Sequence, residues 1–244
     1  MPHFPFLTYF SLEINSSNSF PHSTGIASSA SSMAALALCL TDMQNTIEGG
    51  LRPTEFFEKA SMIARLGSGS ACRSVYPYLA VWGKHSEVAL SSNEYAVPFH
   101  ETMHPIFKTF KDAILIVSSD EKSVSSRAGH ALMEGNPFAE SRYQQAETHL
   151  TQLIKALKEG NLDIFGEIVE NEALTLHALM MCSTPSYMLM LPNTLKIIDL
   201  IKTYRTEKAV PLYYTLDAGP NVHLLYPEEN AVEIVFTEPY TRTN

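Results

Sequence analysis

Cysteine is scarce in this sequence, and its spacing argues against two kinds of cross-linked fold. The chain has three cysteines in 244 residues, Cys39, Cys72 and Cys182. Their number is odd and no C-x-x-C pair occurs, so the sequence favours neither a disulfide framework nor a zinc site. Unpaired cysteines are typical of a reducing cytoplasm, which is the location that we predict.

Positive charge and long apolar runs are also in short supply. Lys and Arg number 17 against 26 Asp and Glu, a formal net charge of -9, which argues against a nucleic-acid-binding surface. No apolar run is long enough for a membrane span, and the start of the chain lacks the basic region of a signal peptide. Hydrophobic residues make up 45% of the chain, enough for a core. We therefore expect a soluble globular protein that binds neither nucleic acid nor membrane.

The stretch 18–40 lacks a Walker motif but has the features of an anion-binding helix start. No G-x-x-x-x-G-K-[ST] occurs, and no lysine follows Gly25 until Lys59. A helix is predicted from Ser28 onward, and four serines crowd its first turn. Helix N-termini favour anions because their N–H groups lack intrahelical partners. On local grounds an N-cap by Ser28 or Ser29 explains the pattern equally well.

A second motif, G-S-G-S-A-C-R-S from Gly67, follows a helix predicted from Pro53. Two glycines allow the backbone to turn sharply and expose Ser68, Ser70 and Arg73. The guanidinium of Arg73 presents a donor fork that matches a carboxylate. The alternative is a glycine C-cap followed by a polar loop.

A third motif, D-A-G-P-N, places a carboxylate at the end of a predicted strand. Asp217 is followed by Ala218 and Gly219, whose small side chains leave room for a substrate to approach. We expect Asp217 to be the principal reactive group, because functional residues concentrate on loops that a rigid scaffold positions. A turn capped by the Asp side chain is the alternative.

Residue periodicity predicts the remaining elements and a mixed α+β fold. The predicted helices beyond the first are 53–65, 138–158, 162–180 and 193–202. The predicted strands are 9–17, 75–81, 112–119, 211–216, 222–226 and 232–236. The continuous apolar run at 112–119 predicts a buried strand. His177 is interpreted as packing or as a hydrogen-bonded bystander.

Four segments together carry a family resemblance. They are P-x-x-x-G-I-A-S-S-A-S from Pro21, G-S-G-S-A-C-R-S from Gly67, V-S-S-R-A-G-H from Val124 and D-A-G-P-N-V from Asp217. With these segments in this order, the chain resembles the diphosphomevalonate decarboxylase branch of the GHMP kinase superfamily. His130 is a departure, because many relatives carry methionine at that position.

The resemblance implies a two-domain α+β GHMP-kinase fold. Residues 1–108 would form an N-terminal ATP-binding domain like ribosomal protein S5, and residues 109–244 a ferredoxin-like C-terminal domain. Relatives carry further strands and a lysine-bearing motif before the strand predicted at 9–17. We therefore expect an incomplete first domain with an uncovered sheet edge, as in a fragment or a truncated gene model.

The resemblance also implies an activity and the residues that carry it. The activity is ATP-dependent decarboxylation of mevalonate 5-diphosphate to isopentenyl diphosphate by a homodimer that uses ATP and Mg²⁺. The implied catalytic residues are Asp217, beside the C3 hydroxyl, and Arg73, at the carboxylate that leaves. The implied substrate-binding residues are Asn18, Ser68, Ser70, Arg73 and Ser126. The implied nucleotide-binding residues are Gly25, Ala27, Ser28 and Ser29, with Ser29 also at the metal ion.

Three alternatives remain open at this point. A phosphomevalonate decarboxylase or a mevalonate 3-kinase would share these loops and differ in contacts to the far end of the substrate. An inactive fragment or pseudoenzyme belongs to a different class.

Overall fold

A computed structural model describes residues 3–20, 24–99, 103–120, 129, 131–231 and 234. The chain divides into two compact units. The first comprises Met1–Ser23 with Ala27–Thr102, and the second comprises Thr24–Ile26 with Met103–Asn244. The domain boundary at residues 108 and 109 stays a prediction.

Two helices that pack through alanines form the centre of the first unit. Helix α1 spans Ser28–Glu48 and helix α2 spans Pro53–Gly67, followed by a 3-10 turn at Gly69–Cys72. Strands β1 (Ala80–Trp82) and β2 (Ala96–Pro98) pair antiparallel. Small side chains let the helix backbones approach closely. The buried alanines of this cluster are Ala30, Ala34, Ala37, Ala60, Ala64 and Ala71.

Local sequence explains where α2 begins. Pro53 occupies the first helical position, where its missing N–H costs nothing. The carboxylate of Glu55 accepts a hydrogen bond from the backbone N–H of Arg52 at 3.0 Å, which closes the first turn. The predictions of helices from Ser28 and from Pro53 are confirmed.

The strand predicted at 9–17 is wrong. Residues Pro5–Tyr9 form a 3-10 helix and the following residues are irregular. The alternating residues Phe10, Leu12 and Ile14 are 50%, 42% and 62% exposed. Alternation forms a strand only when a partner supplies the ladder hydrogen bonds, and no described strand pairs with this segment.

The strand predicted at 75–81 is confirmed only at its end. Residues 73–78 form turns and bends, and strand β1 begins at Ala80. Pro77 lacks the N–H that a ladder needs, and Tyr78 has a φ of 62°, outside the strand region. The stretch after β1, for which no strand was predicted, contains strand β2.

Helices and an antiparallel sheet build the described part of the second unit. The helices are α3 (Ala139–Glu159), α4 (Leu162–Met181) and α5 (Pro192–Lys208). The strands are β3 (Phe110–Leu115), β4 (Tyr213–Leu216) and β5 (Val222–Pro227), in the order β3-β5-β4. All three helix predictions and the strand predictions at 211–216 and 222–226 are confirmed in substance, although α5 extends further than expected.

The prediction of a buried strand at 112–119 is half right. Strand β3 forms, but Ile114 and Leu115 are 38% and 36% exposed. In the described sheet β3 is an edge strand that pairs on one side with β5, so it lacks the covering that a central strand has. The strand predicted at 232–236 lies outside the described residues except Ile234, which is helical.

The core of the second unit supports the turn between β4 and β5. Leu216 and Val222 are opposite each other in the register of the two strands, and both are buried. Ile198 and Ile201 of α5 belong to the same apolar cluster. The residues between Leu216 and Val222 therefore project from a packed base.

Candidate functional site

The start of α1 has an unusual backbone conformation. Gly25 and Ala27 have φ angles of 82° and 62°, a backbone region that alanine enters at a cost of about 1–2 kcal/mol. Ala27 is the N-cap residue, and its side chain makes no capping hydrogen bond. The alternative in which Ser28 or Ser29 is only an N-cap is therefore wrong. Strained backbone of this kind recurs at ligand-binding turns.

Hydroxyl groups surround that helix start. The Oγ atoms of Ser29 and Ser68 lie 3.3 Å apart. The hydroxyl of Ser31 lies 3.3 Å from Oδ1 of Asn18 and donates to the carbonyl of Ser28 at 3.0 Å. The first unit thus brings three of the predicted site residues, Asn18, Ser29 and Ser68, to one end of α1.

The turn after α2 presents Arg73 to solvent. The N–H of Ala71 donates to the carbonyl of Ser68 at 2.9 Å, and that of Arg73 donates to the carbonyl of Ser70 at 3.1 Å. Arg73 is exposed, and no carboxylate among the described residues pairs with it. Its guanidinium can therefore bind an external anion. Cys72 is buried, and burial raises the pKa of its thiol, which fits a packing role.

Asp217 stands at the end of β4 with an exposed side chain. Its carbonyl accepts hydrogen bonds from the N–H of Gly219 at 2.7 Å and from Nε2 of His177 at 3.1 Å. His177 is 1% exposed, and burial lowers the pKa of its imidazole, so the neutral ring donates from Nε2. The helix α4 therefore fixes the backbone of Asp217 and leaves the carboxylate accessible.

Two further side chains hold the same turn. The hydroxyl of Thr194 donates to the carbonyl of Pro220 at 2.6 Å. Asn221 is 1% exposed and binds backbone groups on two other segments. Sequence reasoning assigned neither residue to the site. Thr194 was predicted only as part of the start of a helix, and Asn221 only as part of the motif D-A-G-P-N-V.

The assigned roles of the remaining residues stay predictions. Ser126 lies outside the described residues. Arg73 and Ser70 belong to the first unit, and Asp217 belongs to the second. Among the residues that the structure describes, no three His, Cys, Asp or Glu side chains group as a metal site. None of the described helices is both long and apolar enough to cross a membrane.

Two family models match the chain, one in each half. The diphosphomevalonate decarboxylase-like N-terminal domain matches residues 6–95. The mevalonate 5-diphosphate decarboxylase C-terminal domain matches residues 113–238, more than half of the chain. The chain belongs to the diphosphomevalonate decarboxylase family. The resemblance drawn from the four segments is thereby confirmed.

Similar proteins agree with this assignment. Diphosphomevalonate decarboxylase of Ganoderma lucidum is 32% identical over 238 residues, covering 95% of this chain and 57% of the relative. The Candida albicans enzyme is 29% identical over 236 residues, covering 96% and 62%. The chain therefore spans about three fifths of the length of these curated relatives.

Solved structures confirm the α+β fold of this family. Mevalonate diphosphate decarboxylase from Legionella pneumophila aligns with a TM-score of 0.76 and 31% identity over 93% of this chain and 68% of that chain. A second structure, MDDEF in complex with MVAPP, AMPPCP and magnesium, aligns with a TM-score of 0.72 and 30% identity over 88% and 62%.

Proposed function

We propose that this chain carries the site for ATP-dependent decarboxylation of mevalonate 5-diphosphate to isopentenyl diphosphate. The observation that carries the proposal is the exposure of Asp217. Its carboxylate is accessible, while its backbone carbonyl is held by His177. The family relationship supplies the substrate class, and the solved relative in complex with MVAPP, AMPPCP and magnesium supports it. The alternative of an inactive fragment predicts no turnover.

Asp217 and Arg73 can each be given a role in one step of this reaction. Asp217 would orient or accept the proton of the C3 hydroxyl, whose oxygen attacks the γ-phosphorus of ATP. The exposed Arg73 would hold the substrate carboxylate until it leaves as carbon dioxide. The electron pair of the broken C–C bond then forms the alkene as phosphate departs. Such a transfer depends on positioning and charge neutralisation.

The start of α1 fits the phosphates of a nucleotide. Ala27, the N-cap residue, has a small side chain that makes no capping hydrogen bond, and N–H groups at a helix N-terminus favour anions. Mg²⁺ is typically held largely by substrate phosphates and water, and the hydroxyl of Ser29 would supply one protein oxygen to it. When bound, the ion would neutralise charge on the transferred phosphoryl group.

The test is Asp217→Asn in the full chain, with ADP release measured in the presence of mevalonate diphosphate. We expect at least a ~10²-fold loss of kcat with nucleotide binding retained, the scale of a positioned acid-base group. Asp199→Asn is the matched control, because Asp199 is exposed on α5. Near-normal kcat in Asp217→Asn would refute the assignment.

Substrate comparison separates the related activities. Mevalonate diphosphate and mevalonate monophosphate are assayed in parallel, with released carbon dioxide measured beside ADP. ADP without carbon dioxide would identify a 3-kinase instead. Preference for the monophosphate would identify the phosphomevalonate decarboxylase.

The proposal includes a cytoplasmic homodimer. Cys39, Cys72 and Cys182 are all free thiols, which supports a reducing compartment. The homodimer rests on the family resemblance. Light scattering of the purified chain tests it, and a single-chain mass at all concentrations would contradict it.

A further inference from the structure

Asn221 joins three segments of the second unit through one buried side chain. Its Oδ1 accepts hydrogen bonds from the backbone N–H groups of Val117 at 2.7 Å and Ser118 at 3.1 Å. Its Nδ2 donates to the carbonyl of Thr24 at 2.8 Å. Two donors meet the amide oxygen and one acceptor meets the amide nitrogen, so the partners fix the orientation of the amide.

Direct backbone contact accompanies that hydrogen bond. A Cβ on Gly25 would lie 2.6 Å from the Cα of Gly219, and a Cβ on Gly219 would lie 2.8 Å from the Cα of Gly25. No real side chain tolerates such distances. Gly25 begins the loop that enters α1, and Gly219 is two residues after Asp217. The Asn221–Thr24 hydrogen bond thus holds two glycine backbones against each other.

We propose that Asn221 is a positioning residue that fixes the phosphate loop beginning at Thr24 relative to Asp217. The inference rests on the proposed function, in which the loop holds the nucleotide and Asp217 faces the substrate hydroxyl that attacks the nucleotide. The side chain of Asn221 is buried and binds protein backbone, so its role would be indirect. Because phosphoryl transfer depends on alignment, a shift of about 1 Å between the two groups can lower the rate ~10²-fold.

A purely structural role is the competing explanation, because any buried side chain with three hydrogen bonds stabilises its surroundings. Asn221→Asp separates the two roles. The aspartate retains an oxygen for Val117 and Ser118 but places a second oxygen opposite the carbonyl of Thr24. The hydrogen bond to the loop is then lost, while the link to Val117 and Ser118 remains.

A matched control changes stability without touching the turn. Asn161 caps α4 by accepting from the N–H of Ile164 at 3.0 Å, and loss of such a cap costs about 1 kcal/mol. Asn161 begins the helix that carries His177 near its other end. Asn161→Ala therefore gives a destabilised second unit with the Asn221–Thr24 hydrogen bond intact.

The experiment measures kcat, the KM for ATP, and hydrogen exchange of residues 24–26 and 217–219 in the full chain. For Asn221→Asp we expect kcat to fall at least ~10-fold, with the KM for ATP within about threefold because α1 still presents its N-terminus. Exchange should rise in both segments. Asn161→Ala should lower the Tm and change none of these quantities. An unchanged kcat, or faster exchange in only one segment, would overturn the proposal.

The experiment also covers a variant that does not fold and a parent chain without turnover. If Asn221→Asp does not fold, Gly219→Ala replaces it, because its methyl group would push Gly25 away directly, and the same results are expected. If the unsubstituted chain has no turnover, the proposed function fails and exchange alone decides the role of Asn221. Faster exchange in both segments, absent from Asn161→Ala, supports the link; any other pattern refutes it.

Discussion

His177 gives the second unit a pH dependence whose sign follows from its burial. The imidazole is 1% exposed and donates to the carbonyl of Asp217. Burial lowers the pKa of His177 below its ordinary value of 6.5, because the charged form is poorly solvated there. In the unfolded chain the same ring titrates near that ordinary value.

The magnitude follows from proton linkage. Above pH 6.5 both states carry a neutral ring, so His177 adds no pH dependence. As pH falls below 6.5 the unfolded state binds the proton first, and the free energy of unfolding decreases. One group contributes at most about 1.4 kcal/mol per pH unit, and the decrease continues until pH reaches the lowered pKa of the folded state.

His223 contributes with the opposite sign and in a different pH range. Burial by itself would lower the pKa of His223, but its hydrogen bond to Asp112 and the charge of that carboxylate outweigh burial and raise it. The resulting stabilisation is fully present below pH 6.5 and is lost as pH rises through the raised pKa. The two histidines therefore act in different pH ranges, His177 mainly below pH 6.5 and His223 mainly above it.

The assay compares His177→Gln with the unsubstituted chain by urea unfolding at pH 7.5, 6.5 and 5.5. Glutamine can donate to the carbonyl of Asp217 but does not titrate. We expect the variant to lose less stability than the parent between pH 6.5 and 5.5, by at most about 1 kcal/mol. His177→Leu should show the same reduced pH dependence with an added loss of about 1 kcal/mol at every pH. If the free energy of unfolding fell by the same amount in the parent and in His177→Gln between pH 6.5 and 5.5, the reasoning would be refuted.

Two further predictions concern Arg73 and Asp112. Arg73→Lys should lower kcat/KM at least ~10-fold, because an ammonium group cannot form the two parallel hydrogen bonds of a guanidinium; equal steady-state activity would exclude the bidentate role. Asp112→Asn should lower the pKa of His223, whose Nδ1 lies 3.0 Å from Oδ2 of Asp112, and an NMR titration checks this. An unshifted titration would show that the pair is not formed in solution.

Local sequence predicted the helices well because their signals are local. Apolar residues at helical spacing define α3 and α4, and Gly160 separates them at a φ of 77°. The segment 9–17 has an equally regular alternation, but a strand also needs a partner. No periodicity within nine residues reveals whether that partner exists.

In the candidate site, too, the features that depend on local sequence were predicted and those that depend on distant contacts were not. Asp217, Arg73 and the serines of α1 were predicted because their motifs are continuous in sequence. The roles of His177 and Asn221 were not, because their partners are distant: 40 residues separate His177 from Asp217, and 197 separate Asn221 from Thr24. Such contacts arise only when the chain has folded.

At the turn, the residues that hold the backbone differ from the residue that we expect to react with the substrate. His177 and Thr194 bind backbone carbonyls of the turn, and Asn221 at the end of the turn binds the carbonyl of Thr24. The turn is therefore held without using the side chain of Asp217. No described residue donates a hydrogen bond to that carboxylate, which remains available for a substrate hydroxyl. Substitutions of Asp217 should therefore affect turnover without affecting folding. Substitutions of the three holding residues should affect both, and only pH dependence, hydrogen exchange or the separation of KM from kcat can distinguish the two effects.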